Sequence, residues 1–273
     1  MENKTLYNPS GHPEWIPPHS REWYDRIASE QGVYAYPWKS EFEEPSIETI
    51  FGQALSSLIT DRSRVLDIGC GHGDFLSKWA SQAEEAVGID IQEKFIATAN
   101  DNKTEERFRF LTINIADGLP FPDNHFDVVY SKKGPWLFGE RDGEGCRIIK
   151  KGGHVLHLIH GSTDGGMRAL FPGLYYVSPV PWDRDKTMRR LYDDLRLTGG
   201  PLTGIDVRCV EEAEYLSAPE DVLLKKCYGQ KEEVLQYVRE QCLDDVTDIF
   251  NRHVTPRGLM VVNYYFLVTA RAE

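Results

Sequence analysis

The 273-residue chain has little of what marks a metal, disulfide or membrane protein. Its five cysteines, Cys70, Cys146, Cys209, Cys227 and Cys242, are scattered and odd in number. None forms a C-x-x-C pair, so neither a zinc site nor a disulfide framework is suggested, and no metal is expected. No apolar run approaches the length of a membrane span, and the start, Met1-Glu2-Asn3-Lys4, has no signal-like apolar stretch. A cytoplasmic location with no membrane partner is therefore expected. Basic charge is scarce as well: 31 Lys and Arg against 43 Asp and Glu leave a net charge of −12. That balance makes a nucleic-acid partner unlikely, because a phosphate backbone calls for clustered cations. No internal repeat or low-complexity tract stands out, and no feature bears on oligomeric state.

What is present is an α/β pattern. Hydrophobic residues make up 41% of the chain, enough for a substantial core, and the length suits one large α/β domain with additions or two small ones. Val65-Leu66-Asp67-Ile68-Gly69-Cys70-Gly71-His72-Gly73-Asp74-Phe75 reads as strand, tight turn, helix. Glycines let a backbone turn sharply and let a ligand approach, and the next helix offers unpaired N–H groups beside the same spot. The spacing is G-x-G-x-G rather than the dinucleotide G-x-G-x-x-G. Asp67, two residues before the first glycine, would repel a pyrophosphate but support a cationic amino-acid head group. A second strand, Ala86-Val87-Gly88-Ile89-Asp90, ends in an acid placed to accept from both hydroxyls of a ribose.

Further elements follow from periodicity. A short helix is expected over residues 20–30. Another begins after Ser46, where Ile47, Ile50, Phe51, Ala54, Leu55 and Leu58 trace one face. Phe75, Leu76, Trp79, Ala80 and Ala83 give the helix after the glycine turn, a further helix is expected over 93–102, and residues 108–114 form the third strand. Leu119-Pro120-Phe121-Pro122-Asp123-Asn124-His125-Phe126-Asp127 turns into a fourth, buried strand. Ile148–Leu156 reads as helix end, glycine turn and fifth strand. Residues 161–200 are too long for a plain connection. Ile205, Val207 and Cys209 alternate as a half-exposed strand. Helices are expected over 219–228 and 231–250, the latter with Leu235, Val238, Cys242, Val246 and Ile249 inward, and residues 259–270 form a long apolar strand.

VLDIGCGHGDF followed by VGIDIQ, the LPFPDNHFD turn and the IIKKGGHVL segment together resemble the class I S-adenosylmethionine-dependent methyltransferases, over about residues 45–160. The resemblance implies a doubly wound, Rossmann-like, mostly parallel seven-stranded sheet whose last strand is antiparallel. An N-terminal aromatic arm (residues 1–45) and an insertion after strand 5 (about 161–200) would be added to a domain over 46–273. It implies S-adenosylmethionine as cofactor, with S-adenosylhomocysteine as product, and a small-molecule acceptor methylated by in-line displacement.

By the same resemblance the backbone of Gly69, Cys70, Gly71 and Gly73 receives the methionine moiety with Asp67, and Asp90 with Ile91 the ribose. Asn114, Ile115 and Asp117 flank the adenine. The family usually places an acid four residues before Leu-Pro-Phe, where this chain has Ile115, so either Asn114 or Asp117 serves that contact or it is lost. Ligands in open α/β sheets lie outside the carboxyl ends of the strands, which adds Ser131 and Lys132. The Asn/Asp-Pro-Pro-Tyr/Phe motif of base-amino methyltransferases is absent: the chain reads Tyr130-Ser131-Lys132-Lys133-Gly134-Pro135-Trp136. An acidic polyamine-site pattern is likewise replaced there by Ser-Lys-Lys. His160, at the end of the fifth strand, is the candidate general base. Tyr36 and Trp38 are candidates for a lid over the sulfonium. An RNA or protein methyltransferase, favoured if Lys132, Lys133, Arg168, Lys186, Arg189 and Arg190 form one patch, and a non-catalytic binder of S-adenosylmethionine are the alternatives.

Overall fold

The computed structural model describes residues 4–135, 144–161, 166–176, 182–198 and 202–273. The elements run α1 (Arg21–Gln31), β1 (Ser40–Phe42), α2 (Ile47–Ser56), β2 (Arg64–Ile68), α3 (Asp74–Trp79), β3 (Glu85–Asp90), α4 (Glu93–Asn102) and β4 (Phe108–Thr112). They continue with β5 (Phe126–Lys132), α5 (Glu144–Ile148), β6 (Ile149–His160), α6 (Met167–Leu170), α7 (Arg184–Thr198), β7 (Leu202–Leu216), α8 (Pro219–Lys226), α9 (Glu232–His253) and β8 (Leu259–Ala272). The chain divides into two compact units: residues 1–46, 162–182 and 211–264, and residues 47–161, 183–210 and 265–273. The first 46 residues thus group with later segments, a division drawn differently from the arm-plus-domain expected at residue 45.

In the second unit, β2 pairs in parallel with β3 and β5, β3 with β4, and β5 with β6. Residues 265–271 of β8 run antiparallel to β6. The strand order is β4-β3-β2-β5-β6-β8-β7, which is the seven-strand arrangement with an antiparallel member that the motifs imply. Period-two alternation buries both faces of the central strands. Val65 of β2 joins Phe51, Leu55, Phe75 and Leu76 on one face, whereas Leu66 and Ile68 join Leu119, Phe121 and Ile148 on the other. The expected insertion holds α7, a 15-residue helix that the surrounding Pro and Gly signals concealed. β6 spans Gly152 and Gly153 with an irregularity: its pairing with β5 steps from Phe126 opposite Ile149 to Val128 opposite His154, and Gly152 has a φ of 75°, so the glycine turn read there lies inside the strand.

The first unit is built on α9, whose Val234, Val238, Cys242, Val246 and Ile249 form an inward stripe against Val222, Leu223 and Leu216. β1 adds an eighth, short strand, antiparallel to the end of β7. The aromatic segment is tied into this unit. Trp38 Nε1 donates to Glu214 Oε1 at 3.1 Å, and Glu214 Oε2 accepts from Asn263 at 2.8 Å and from Lys225. Burial pushes the Glu214 carboxyl up, but the Lys225 ammonium and the hydrogen bonds from Lys225, Asn263 and Ser40 outweigh it, holding it below the usual range. No described helix is long and apolar enough to cross a membrane.

Candidate functional site

The glycine turn sits at the carboxyl end of β2. Gly69, Gly71 and Gly73 all adopt positive φ, at 77°, 56° and 84°, so each carries a conformation that L residues rarely hold. They do different work. A Cβ at Gly73 would lie 2.6 Å from the Phe110 ring, so this glycine serves helix-to-strand packing. A Cβ at Gly69 would meet Pro135 at 3.0 Å and Gly134 at 3.3 Å, which places the segment after β5 directly on the turn. Ser131 reinforces that contact: it is buried, and its hydroxyl donates to the Ile68 carbonyl at 2.9 Å.

Below the turn lies Asp67, 2% exposed. Its Oδ2 accepts from the Tyr130 hydroxyl at 2.8 Å, while its Oδ1 is buried with no hydrogen-bond partner. Burial drives its pKa up to about 7, against the opposing pull of the Tyr130 hydrogen bond and the Lys132 charge. The same burial holds the Tyr130 hydroxyl and the Cys70 thiol well above their ordinary values. An orphaned carboxylate oxygen in an apolar setting is costly unless a donor or cation completes it.

Asp90, at the end of β3, grips the same turn. Its Oδ2 accepts from the Gly71 N–H and its Oδ1 from the Gln92 N–H, both at 2.9 Å. Burial raises its pKa, and these backbone donors oppose the rise. Ile91 beside it is 52% exposed, an uncovered apolar side chain at a strand end. Asn114 caps a short turn, accepting from Ala116 N at 3.2 Å and donating to Asp117 at 3.1 Å; Ile115 in that turn is half-buried. Asp67, Gly69, Cys70, Gly71, Gly73, Asp90 and Ser131 are thus brought together by contact, and Ile91 adjoins Asp90.

Lys132 turns to Glu48, with Nζ 3.4 Å from Oε2, and lies 4.3 Å above the Phe75 ring. His160, the last residue of β6, packs its ring edgewise on Tyr265 with centroids 5.1 Å apart. Tyr36 and Trp38 lie in the first unit, clustered with the Tyr228 ring at 5.3 and 5.5 Å. Among the described residues no cluster of His, Cys, Asp or Glu could hold a metal ion. All five cysteines are free thiols.

Two further buried residues support the site: Tyr130, not singled out from sequence, and His157, read from sequence only as a lesser candidate base than His160. Tyr130 sits in a continuous apolar run, where only the register of β5 against β2, opposite Asp67, shows its role. His157 pairs across from Ser131, and its Nε2–H donates to the Gly134 carbonyl at 3.2 Å, bracing the segment that covers Gly69. Burial lowers its pKa to about 4, so the ring is neutral.

Residues 66–156 match the family profile described as a methyltransferase domain. The chain is 30% identical over 123 residues to a malonyl-[acyl-carrier protein] O-methyltransferase of Buchnera aphidicola, covering 42% of this chain and 49% of that protein. It is 34% identical over 103 residues to the ubiquinone/menaquinone biosynthesis C-methyltransferase UbiE of Laribacter hongkongensis, covering 35% and 42%. The chain therefore spans about half the length of these curated relatives, or less. A crystal structure of a functionally unknown protein from Deinococcus radiodurans R1 superposes with a TM-score of 0.60 at 21% identity, covering 93% of this chain and all of that one. That likeness concerns the fold. Residues 66–156 thus match a methyltransferase domain, on a mostly parallel sheet with the antiparallel strand that the class I resemblance implies.

Proposed function

We propose that the whole protein is an enzyme transferring a methyl group from S-adenosylmethionine to a small-molecule acceptor by in-line displacement. The single observation that supports it most is the buried, unpartnered Oδ1 of Asp67 beneath three positive-φ glycines. That oxygen fits the cationic amino-acid head of the cofactor, which brings both an N–H donor and the opposite charge, and an anionic tenant would be repelled. When bound, the cofactor supplies a methyl group on a sulfonium leaving group.

The protein's own residues bind, orient and exclude water. Tyr130 fixes one oxygen of Asp67, leaving the other for the ligand. Asp90 keeps Gly71 in place with its Oδ2 and Gln92 with its Oδ1, and the remaining lone pairs would accept from the ribose hydroxyls. Ile91 and the 114–117 turn would flank the adenine. Because the leaving group is already activated, alignment of the acceptor and removal of water carry most of the rate. His160 would take the acceptor's proton where one must be lost. Its Nδ1 lies 2.6 Å from the Gly161 carbonyl, which can only accept, so Nδ1 carries the proton and Nε2 is the basic nitrogen.

Turnover of S-adenosylmethionine to S-adenosylhomocysteine with a metabolite extract tests the reading. Product that appears only with extract supports it, whereas tight binding of the cofactor with no conversion across extracts points to a sensor on the same fold.

A further inference from the structure

Lys133, Gly134 and Pro135 follow β5 directly, and β6 holds their backbone at two points. The Lys133 N–H donates to the Leu158 carbonyl at 2.8 Å. The Gly134 carbonyl lies 3.2 Å from Nε2 of His157. A carbonyl can only accept, so that nitrogen carries the proton and the imidazole is the donor. Between the two anchors the chain is strained: Lys133 has a φ of 61°, in the left-handed region that residues with a side chain rarely adopt. Such a conformation persists where its surroundings over-determine it, and here consecutive residues of β6 do so.

What this segment presses on is the glycine turn. A Cβ at Gly69 would lie 3.0 Å from Pro135, and one at Gly134 would lie 2.7 Å from the Ile68 carbonyl and 2.8 Å from the Ser131 hydroxyl. Backbone is seated on backbone there, with no side chain between to absorb a shift. Ser131 and His157 are partners across β5 and β6 and both are buried. Ser131 holds the Ile68 carbonyl and His157 the Gly134 carbonyl, so the pair grips the contact from both layers. On its other side the turn is fixed by β3: the Ile89 carbonyl accepts from Gly69 N–H at 2.8 Å and Cys70 N–H at 3.0 Å, and Asp90 accepts from Gly71. The turn is thus clamped between β3 and a segment whose outer anchor is His157.

We propose that His157 is a positioning residue for the glycine turn: by holding the Gly134 carbonyl it keeps Gly134 and Pro135 against Gly69, and so sets the affinity for the S-adenosyl ligand through backbone alone. This rests on the proposed function, since it concerns the turn that would carry that ligand. Linkage makes the coupling reciprocal, so a ligand that fixes the turn must also steady the segment behind it.

Calorimetric titration of the full chain with S-adenosylhomocysteine compares wild type, His157→Leu and His157→Gln. Leucine removes the donor, and affinity should fall roughly three- to thirtyfold, the range of couplings carried through intervening residues. Glutamine returns an N–H donor and should recover to within about threefold of wild type. A residue needed only for folding would move the urea midpoint and leave the affinity of the folded protein unchanged. A second readout needs no variant and decides the matter if the leucine chain does not fold. In the wild type the Lys133 amide, bonded to Leu158, should exchange roughly three- to thirtyfold more slowly once S-adenosylhomocysteine is bound. Exchange at Lys133 untouched by the ligand, equal losses in the two variants, or folded His157→Leu binding within about twofold of wild type overturns the positioning role and leaves the proposed function standing. A folded wild type that ignores S-adenosylhomocysteine overturns both.

Discussion

Tyr130 and Asp67 face each other across β5 and β2, joined by a 2.8 Å hydrogen bond that uses one carboxylate oxygen and leaves the other bare. The tyrosine ring is itself packed between Phe51 and Phe75, with centroids about 6 Å away, so the donor cannot swing aside. Tyr130→Phe keeps this packing and removes the hydroxyl. It should cost about 1–3 kcal/mol of stability, the penalty of a buried acceptor left unsatisfied. Urea denaturation near pH 8, where Asp67 is mostly ionised, measures it.

Asp90 has two roles in one carboxylate, and a pair of variants separates them. Asp90→Ala should weaken S-adenosylhomocysteine by roughly ten- to several-hundred-fold, from charge-assisted bonds of about 1.5–3 kcal/mol. Asp90→Asn retains an acceptor for one of the two backbone N–H groups and should lose less. Calorimetric titration reads both, and an unchanged affinity in folded Asp90→Ala would contradict the ribose assignment.

The glycines should respond differently to substitution. Gly71→Val places a branched side chain at φ 56°, where the ligand backbone cradle is expected, and should abolish binding while leaving the secondary structure largely intact. Gly73→Ala drives a methyl into Phe110 and should lower stability by about 1–3 kcal/mol. Circular dichroism and thermal melts beside a binding assay distinguish the two losses.

Much of this site was legible before the structure. The acid before G-x-G-x-G, the acid ending the second strand and the α4 boundaries at Glu93 and Asn102 all come from local pattern, which a strand–turn–helix unit writes into consecutive residues. Tyr130, Tyr265 and the bracing contact of His157 were not legible, because their meaning lies in cross-strand register: Asp67 opposite Tyr130, Ser131 opposite His157, His160 opposite Tyr265. The α7 helix was obscured for another reason. Its own sequence places Met188, Leu191 and the buried Leu195 on one face, but the Pro and Gly signals on either side mark the stretch as a loop. The aromatic segment at residues 34–38 reads from sequence as an arm, yet Trp38 is fastened by Glu214, a residue 176 positions later.

Asp67 and His157 should pull stability in opposite directions with pH. His157 stays neutral in the folded protein down to about 4 but takes a proton near 6.5 when unfolded, so its contribution is present above pH 6.5 and lost as pH falls toward 4. Asp67 stays protonated in the folded protein up to about 7 but ionises near 3.8 when unfolded, so stability is lost as pH rises from about 4 to 7. Each amounts to about 2 kcal/mol between pH 5 and 7, and the two nearly cancel. His157→Gln should therefore lose stability as pH rises from 5 to 7, and Asp67→Asn should gain it. Urea melts at both pH values check the signs.

The central claim is that Asp67 holds the cationic head of an S-adenosyl ligand, and calorimetric titration with S-adenosylhomocysteine at pH 7 tests it most directly. A carboxyl with a pKa of about 7 is half protonated there, and pairing it with a cation drives the proton off. Run in two buffers of different ionisation enthalpy, the titration should show binding with release of about 0.5 proton. Asp67→Asn should bind roughly ten- to a hundred-fold more weakly and release none. Absence of binding by the folded wild type, or binding with the same proton release in Asp67→Asn, would contradict the account.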